Sequence, residues 1–515
     1  MLLAALLVPS AATAQPAPEG ESGFTRKPSV FAEKAMVVAA HPAASAAGLR
    51  ILDAGGSAVD AAIAAQLVLA VVEPQSSGIG GGGFLLSFDG QRVRAYDGRE
   101  TAPATADDAL FLDAGGKPLP FFDAVVGGRS VGVPGLVRML ELAHRRDGRL
   151  SWARLFDDAI ALSERGFPVS PRLHKLLADD RYLRRDPAAR ALYYESDGRA
   201  KAVGNVLRNP ELAATLQQLA TEGADALHSG ELAAAIVAAV NGHPSNPGRM
   251  TAADLSGYRA LERAPLCTGF LAWRVCGMPP PSSGGLAVAQ ILGILAAGDM
   301  TAFTAPGSAP SVDAIHRFSE AGRLAFADRN RYVADPDFVP LPAGLHDNGY
   351  LRQRAALIGT HSMGSATAGN PGAVPLGWID GHDHEVPATT HLSVVDAAGH
   401  AVALTSSIEH AFGARLMVRG FLLNNQLTDF SFAPRDADGL VANRVGGGKR
   451  PRSSMSPTLA FDRESGRLEL ITGSPGGPFI IGYVASTLVG MLVGQQAPDE
   501  TLAQPHFGSR NGPTE

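Results

Sequence analysis

The sequence predicts an α+β fold in which sheet layers are covered by helices. Three observations point there. Short β-rich runs occur in separate stretches, at 84–97, at 264–278 and from Thr389 onward. Alanine- and leucine-rich runs long enough for helices accompany them, and no internal repeat is present. The chain of 515 residues is 45% hydrophobic and 18% charged, the balance of a globular protein.

Taken in order, the N-terminus comes first. A short apolar run, Leu2 to Val8, is followed by Ala12-Thr13-Ala14, an A-x-A cleavage pattern ahead of Gln15. This reads as a signal peptide over 1–14, although no Lys or Arg precedes Arg26. Residues 15–29 then form an unstructured leader, and the expected location is periplasmic or secreted. No run reaches the ~18 apolar residues of a membrane helix.

KAMVVAAHP (34–42) predicts a strand, and 44–56 and 57–72 predict two helices, the first ending at Gly55-Gly56. SSGIGGGG (76–83) is a loop, and 84–97 is a strand pair turning at Gly90. Residues 130–260 read as mostly helical, and PPPSSGG (279–285) opens an Ala/Leu helix. A helix is expected over 310–335. The stretch 339–388 is rich in Gly, Pro, His and Ala and predicts an exposed, irregular connection. From Thr389 the runs TTHLSVVD, HAVALTSS and GFLLNNQ predict strands. SPTLAFD and RLELITGS predict a second hairpin, and an apolar helix follows PGG.

Composition and local motifs exclude several functions. Net charge is −6, with no basic stripe of the kind nucleic acid requires. Gly78 to Gly83 matches G-x-G-x-x-G, but a helix precedes it and strands follow. A dinucleotide would find no helix N-terminus there, so the glycines are read as close backbone packing. The two cysteines, Cys267 and Cys276, flank a hairpin tip at Leu271-Ala272. A cross-strand disulfide and two packed thiols are equally consistent with that placement. Neither cysteine has a local base that would make it a nucleophile.

The boundary at Thr389 carries the chemistry. A long irregular segment runs into a small residue, Ala388, and then a Thr-Thr strand start. An N-terminal nucleophile needs that arrangement. The threonine hydroxyl attacks the preceding carbonyl, an N→O shift gives an ester, and water frees a new N-terminus. The freed α-amino group, with a pKa near 8, then serves as the base. Four other features match. Ser474-Pro475-Gly476-Gly477 stands before an apolar helix, so Gly476 and Gly477 are candidate oxyanion donors. Arg99 ends a strand and can grip a carboxylate with two N–H groups. Asp429, after LLNNQLT at the end of an apolar strand, suits an ammonium group. Ser453 and Ser454 offer two hydroxyls.

At these residues the chain resembles the gamma-glutamyltransferase (glutathione hydrolase) family. The motifs GGSAVDAAIAA, GIGGGGFLL, RETAP, GRSVGVPG, MPPPSSGG, TTHLSVVD, FLLNNQLTDFS, RSSMSPT and GSPGG occur in one order across about 30–515. The resemblance implies the four-layer αββα sandwich of N-terminal-nucleophile hydrolases and no cofactor. It implies a precursor cut between Ala388 and Thr389 into a large subunit, 30–388, and a small subunit, 389–515. Thr389 is then the nucleophile and Ser407 the hydroxyl beside it. Arg99 with Ser453 and Ser454 would hold the substrate's α-carboxylate, and Asp429 with Gln426 its α-amino group. The partners implied are small molecules: glutathione or other gamma-glutamyl compounds, an amino-acid or peptide acceptor, and water.

Three departures from the family pattern matter. Glu409 stands where the family often has Asn. The stretch between Asp429 and Ser453 is short and lacks a lid loop that some members carry. The tail TLAQPHFGSRNGPTE stops in loop-like sequence, so a truncated C-terminus is expected. Glu409 and the absent lid raise one alternative, a cephalosporin (glutaryl) acylase with the same machinery. Another is an uncleaved, inactive homologue acting as a binding protein.

Overall fold

A computed structural model of the chain describes residues 27–304, 310–372, 377–381 and 388–515. The signal peptide expected at 1–14 and most of the leader at 15–29 lie outside these residues. Strand β1 (Met36–Ala39) leads into α1 (Pro42–Asp53) and α2 (Ala58–Val72). Helix α2 is apolar on every side, and all fifteen of its residues are buried. Such a helix belongs inside the molecule rather than on its surface. Its start is fixed by a capping box, in which Ser57 accepts from the Asp60 N–H and Asp60 accepts from the Ser57 N–H.

Two antiparallel sheets form the centre. Besides β1 they comprise β2 (Gly82–Phe88), β3 (Val93–Asp97), β4 (Leu261–Arg263), β5 (Leu266–Phe270), β6 (Trp273–Gly277), β7 (Thr390–Val395), β8 (Ala401–Ser407), β9 (Thr458–Asp462) and β10 (Leu468–Thr472). The six-stranded sheet runs β1-β7-β8-β2-β3-β4, and the four-stranded sheet β10-β9-β6-β5. The strands after Thr389 are therefore interleaved with strands from before it. Thr390 pairs with Ser406, and Ser407 with Gly82.

Alternation along the strands decides what packs where. Leu85, Val402 and Leu404 join one core with α1 and α2. Phe84, Leu86, Ala401 and Ala403 point the other way, into a second core. That core also takes Val275, Leu459 and Phe461 from the four-stranded sheet. It is closed by α3 (Gly284–Ala296), α4 (Val312–Tyr332) and α6 (Phe479–Leu488). Cys267 and Cys276 pair directly across β5 and β6 and form a disulfide.

Three sequence expectations need correction. Part of 339–388 is ordered and packed: α5 (Asn348–Ala355) buries Tyr350, Leu351 and Arg354. Only these three positions face inward, too few to give a visible helical period. GFLLNNQ is a strand only over Phe421–Leu422. Beyond it Asn424 spends its side chain on the backbone of Gly80 and Gly132, which replaces ladder pairing. Asp429 consequently sits on a 3₁₀ turn, Gln426–Asp429, rather than at a strand end.

The glycine loop behaves as close packing. A Cβ on Gly81 would lie 2.2 Å from the Ser407 carbonyl oxygen, and one on Gly80 would lie 2.3 Å from that of Leu422. A strand, β2, follows the loop, and the helix N-terminus that does face it, at Gly135 and Leu136, gives these two N–H groups to the Gly81 carbonyl at 3.0 Å each, so neither is left for a phosphate.

Candidate active site

Thr389 stands immediately before β7, and Ser407 closes β8 beside it. Antiparallel pairing of these strands puts the two hydroxyls at 3.5 Å, Thr389 Oγ1 toward Ser407 Oγ. The Ser407 hydroxyl donates to the carbonyl oxygen of Ala388 at 2.8 Å and accepts from the Glu409 N–H at 2.8 Å. One proton and two lone pairs are thereby all placed. Both Thr389 and Ser407 are buried.

They open onto a pocket of about 260 Å³, whose wall includes Glu409, Gln426, Asp429, Ser453, Ser454 and Gly477. Met455 and Ile480 complete it, two apolar side chains that sequence reasoning did not single out. Gly477 has φ +56° and Gly476 φ +137°, conformations that L side chains rarely adopt. The pair lies just ahead of α6, where helix N–H groups lack internal partners. Gly477 lines the pocket, whereas Gly476 is buried beside the ring of Tyr483.

Arg99 stands behind the pocket wall. It is fully buried and does not line the pocket. Its Nη2 donates to Asp429 Oδ2 and, at 2.7 Å, to the Arg452 carbonyl, while Nε donates to the Pro451 carbonyl at 3.1 Å. Arg99 therefore stands behind Asp429 and fixes both that carboxylate and the backbone leading to Ser453. Beside it, Glu100 lies 3.7 Å from Arg99 Nη1. Burial outweighs the guanidinium and pushes the Glu100 carboxyl up to about 8, so it is neutral near pH 7.

Glu409 has φ +76° and receives a hydrogen bond from Asn425 Nδ2. Gln426 is held by its N–H, which donates to Asn424 Oδ1 at 3.0 Å. Among the described residues its Oε1 has no partner, although it is buried. The Ser453 Oγ accepts from the Met455 N–H at 3.2 Å, and Ser454 Oγ accepts from Arg329 Nη2 at 2.9 Å. Arg329 carried no sequence signal, because it lies in the last turn of α4, far from every catalytic motif. His391, two residues past Thr389, is enclosed enough that burial lowers it to about 3. It stays neutral and bridges Thr405 at 2.8 Å and Ser393 at 3.0 Å.

A second cavity of about 450 Å³ lies beyond Ile408, between α2 and Phe167, Leu207 and Leu212. It is lined chiefly by apolar groups and offers no charge to a polar substrate. Among the described residues no cluster of His, Cys, Asp or Glu is arranged to hold a metal ion, and no helix is long and apolar enough to cross a membrane.

Thr389, Ser407 and the flanking polar wall thus share one pocket. The gamma-glutamyltranspeptidase family model matches residues 44–515. The chain belongs to this family. Within it, the chain is 35% identical over 501 residues to the glutathione hydrolase proenzyme of Bacillus subtilis (strain 168), covering 95% of this chain and 82% of that protein. It is 36% identical over 508 residues to the acylase ACY 1 proenzyme of Pseudomonas sp. (strain V22), covering 96% and 86%. The cephalosporin acylase of Bacillus halodurans superposes with a TM-score of 0.78 at 26% identity, covering 95% of this chain and 86% of that one. Family membership makes the chain an enzyme, while its relatives carry two different acyl preferences in their names.

Proposed function

We propose that the protein cleaves gamma-glutamyl amides, hydrolysing them or passing the glutamyl group to an amino acceptor, through an ester on Thr389. A precursor is cut between Ala388 and Thr389 into pieces ending at 388 and beginning at 389. The fold is the four-layer αββα arrangement, and the enzyme acts after export. Glutathione is the natural type of donor.

In the mature enzyme the α-amino group of Thr389 takes the proton from its own hydroxyl as Oγ1 attacks the amide carbonyl. The oxyanion is received by the N–H groups of Gly476 and Gly477. The ammonium returns the proton to the departing amine, and the ester remains. Water or an acceptor amine then attacks the ester, and Thr389 Oγ1 leaves with its proton restored.

The observation that carries the glutamyl reading is the charge of the pocket. Glu409 and Asp429 both line it, and one guanidinium, Arg99, backs Asp429 from behind. Two carboxyl groups on one wall suit a substrate ammonium. The Ser453 and Ser454 hydroxyls on the same wall suit a carboxylate. A gamma-glutamyl group carries both, whereas a glutaryl group lacks the ammonium.

Turnover of a gamma-glutamyl anilide against a glutaryl anilide tests this: faster glutaryl turnover sinks the assignment in favour of the acylase reading. Thr389→Ala should leave one uncut chain without activity on either compound. Retained activity would remove Thr389 from the nucleophile's role. An uncut wild-type chain that binds but never turns over a donor would support the binding-protein reading instead.

A further inference from the structure

We infer that Arg329 is a positioning residue for the carboxylate of the acyl donor, acting through the Ser453–Ser454 pair. The inference rests on the gamma-glutamyl reading and adds a residue that lies outside the pocket. Arg329 is buried and reaches the serine loop with two arms of its fork. Nη2 donates directly to Ser454 Oγ at 2.9 Å. Nε donates to Ser283 Oγ at 2.9 Å, and that hydroxyl in turn donates to the Ser453 carbonyl at 2.7 Å. The Ser283 N–H reinforces the same carbonyl at 2.6 Å. Arg452, also fully buried, donates from Nη1 to the Arg329 carbonyl at 2.7 Å. The end of α4 and the serine loop are therefore tied to each other in both directions.

Donor counting gives the chemical consequence. A hydroxyl has one proton and two acceptor sites. Arg329 is a donor that can never accept, so its bond to Ser454 uses a lone pair. The Met455 N–H does the same to Ser453 at 3.2 Å. Both hydroxyl protons are thereby left to donate, and among the described residues neither has an acceptor. Two O–H groups on one wall, one of them polarised by a guanidinium, form a receiver for an anionic oxygen. Each keeps one lone pair, so the preference for an anion comes from the two undirected protons and the adjacent guanidinium. The loop PPPSSGG acquires a purpose here: Ser283 is the relay through which the second arm of Arg329 holds Ser453.

Three anilide donors separate the roles. Gamma-glutamyl anilide carries carboxylate and ammonium, glutaryl anilide the carboxylate alone, and 4-aminobutyryl anilide the ammonium alone. Arg329→Met should raise KM about tenfold or more for the first two, the scale of one lost charge-assisted bond. KM for 4-aminobutyryl anilide and kcat for all three should stay within about threefold of wild type. Arg329→Lys should fall between wild type and Arg329→Met, because an ammonium can serve one arm but not the fork. Ser283→Ala, which leaves the charge in place, should give a smaller rise with the same selectivity; it and Arg329→Lys carry the test if Arg329→Met does not fold. Equal losses on all three donors, or no change on any, would overturn the role of Arg329 while leaving the glutamyl reading intact. Wild-type preference for 4-aminobutyryl over gamma-glutamyl anilide would sink that reading itself, and the inference with it.

Discussion

Ser407 donates its hydroxyl to the carbonyl oxygen of Ala388 at 2.8 Å, across the peptide bond whose other side carries Thr389. The Ser407 Oγ itself lies 3.5 Å from Thr389 Oγ1, which donates to it. In the proposed self-cleavage, one residue thus touches both the carbonyl to be attacked and the attacking hydroxyl. As Thr389 adds to that carbonyl, negative charge grows on the oxygen that Ser407 already contacts. Ser407→Ala should slow self-cleavage on the order of 10²-fold, the scale of a lost oxyanion donor. Ser407→Thr should cut at close to the normal rate. The measurement is the appearance of two bands on denaturing gels over time. An alanine variant that matures on the wild-type schedule would exclude this role.

The interleaved sheet predicts what happens after the cut. Strands β7 and β8 follow Thr389, yet they lie between β1 and β2, which precede it. The seams are registered over four residue pairs on one side and seven on the other. Separating the pieces would break both ladders and expose the apolar faces beneath them. The two pieces should therefore elute together in size-exclusion chromatography at high salt and part only in denaturant. Separation by salt alone would contradict the pairing.

Asp429 is expected to matter for stability as well as binding. It is the nearest anion to a guanidinium with no solvent exposure, and the other neighbour, Glu100, is neutral near pH 7. Asp429→Asn should destabilise the protein by about 3 kcal/mol, since removing one member of a buried pair strands the other charge. It should also raise KM for gamma-glutamyl anilide. Replacing both members, Arg99→Met with Asp429→Leu, should restore much of the stability and none of the activity. Denaturant unfolding of the three variants decides this. A double variant no more stable than Asp429→Asn would mean the pair's charge was not the cause.

How much of this was legible in the sequence follows from how local each cue is. The helix pair at 44–72 announced itself through the Gly55-Gly56 stop and through long Ala- and Leu-rich runs on either side of it. The hairpins at 84–97 and 458–472 alternate and turn at glycines, and they formed as read. Thr389, Ser407 and the wall of the pocket were legible as types of residue in ordered motifs. Three things were not. The position of Arg99 depends on carbonyls at Pro451 and Arg452, more than 350 residues away, which no local pattern encodes. The same holds for Arg329, whose contact with Ser454 spans 125 positions. Short buried segments such as 348–355 also escaped, because three inward side chains leave no period to detect.

Glu100 supplies a pH dependence whose sign can be worked out. Burial raises its carboxyl from an ordinary value near 4.5 to about 8 in the folded protein. Between those two values the unfolded chain has already released the proton that the folded chain still holds. Unfolding then releases a proton, so this group's contribution to stability is complete below about pH 4.5, declines as pH rises, and levels off above about pH 8. Glu100→Gln keeps the shape and stays neutral throughout. Its melting temperature relative to wild type should therefore rise steadily between about pH 5 and about pH 8, reaching a few degrees at the upper end. The gap should stop growing once the folded carboxyl also ionises. A difference that is flat across this range, or that narrows with increasing pH, would show that Glu100 is already ionised beside Arg99 in the folded protein.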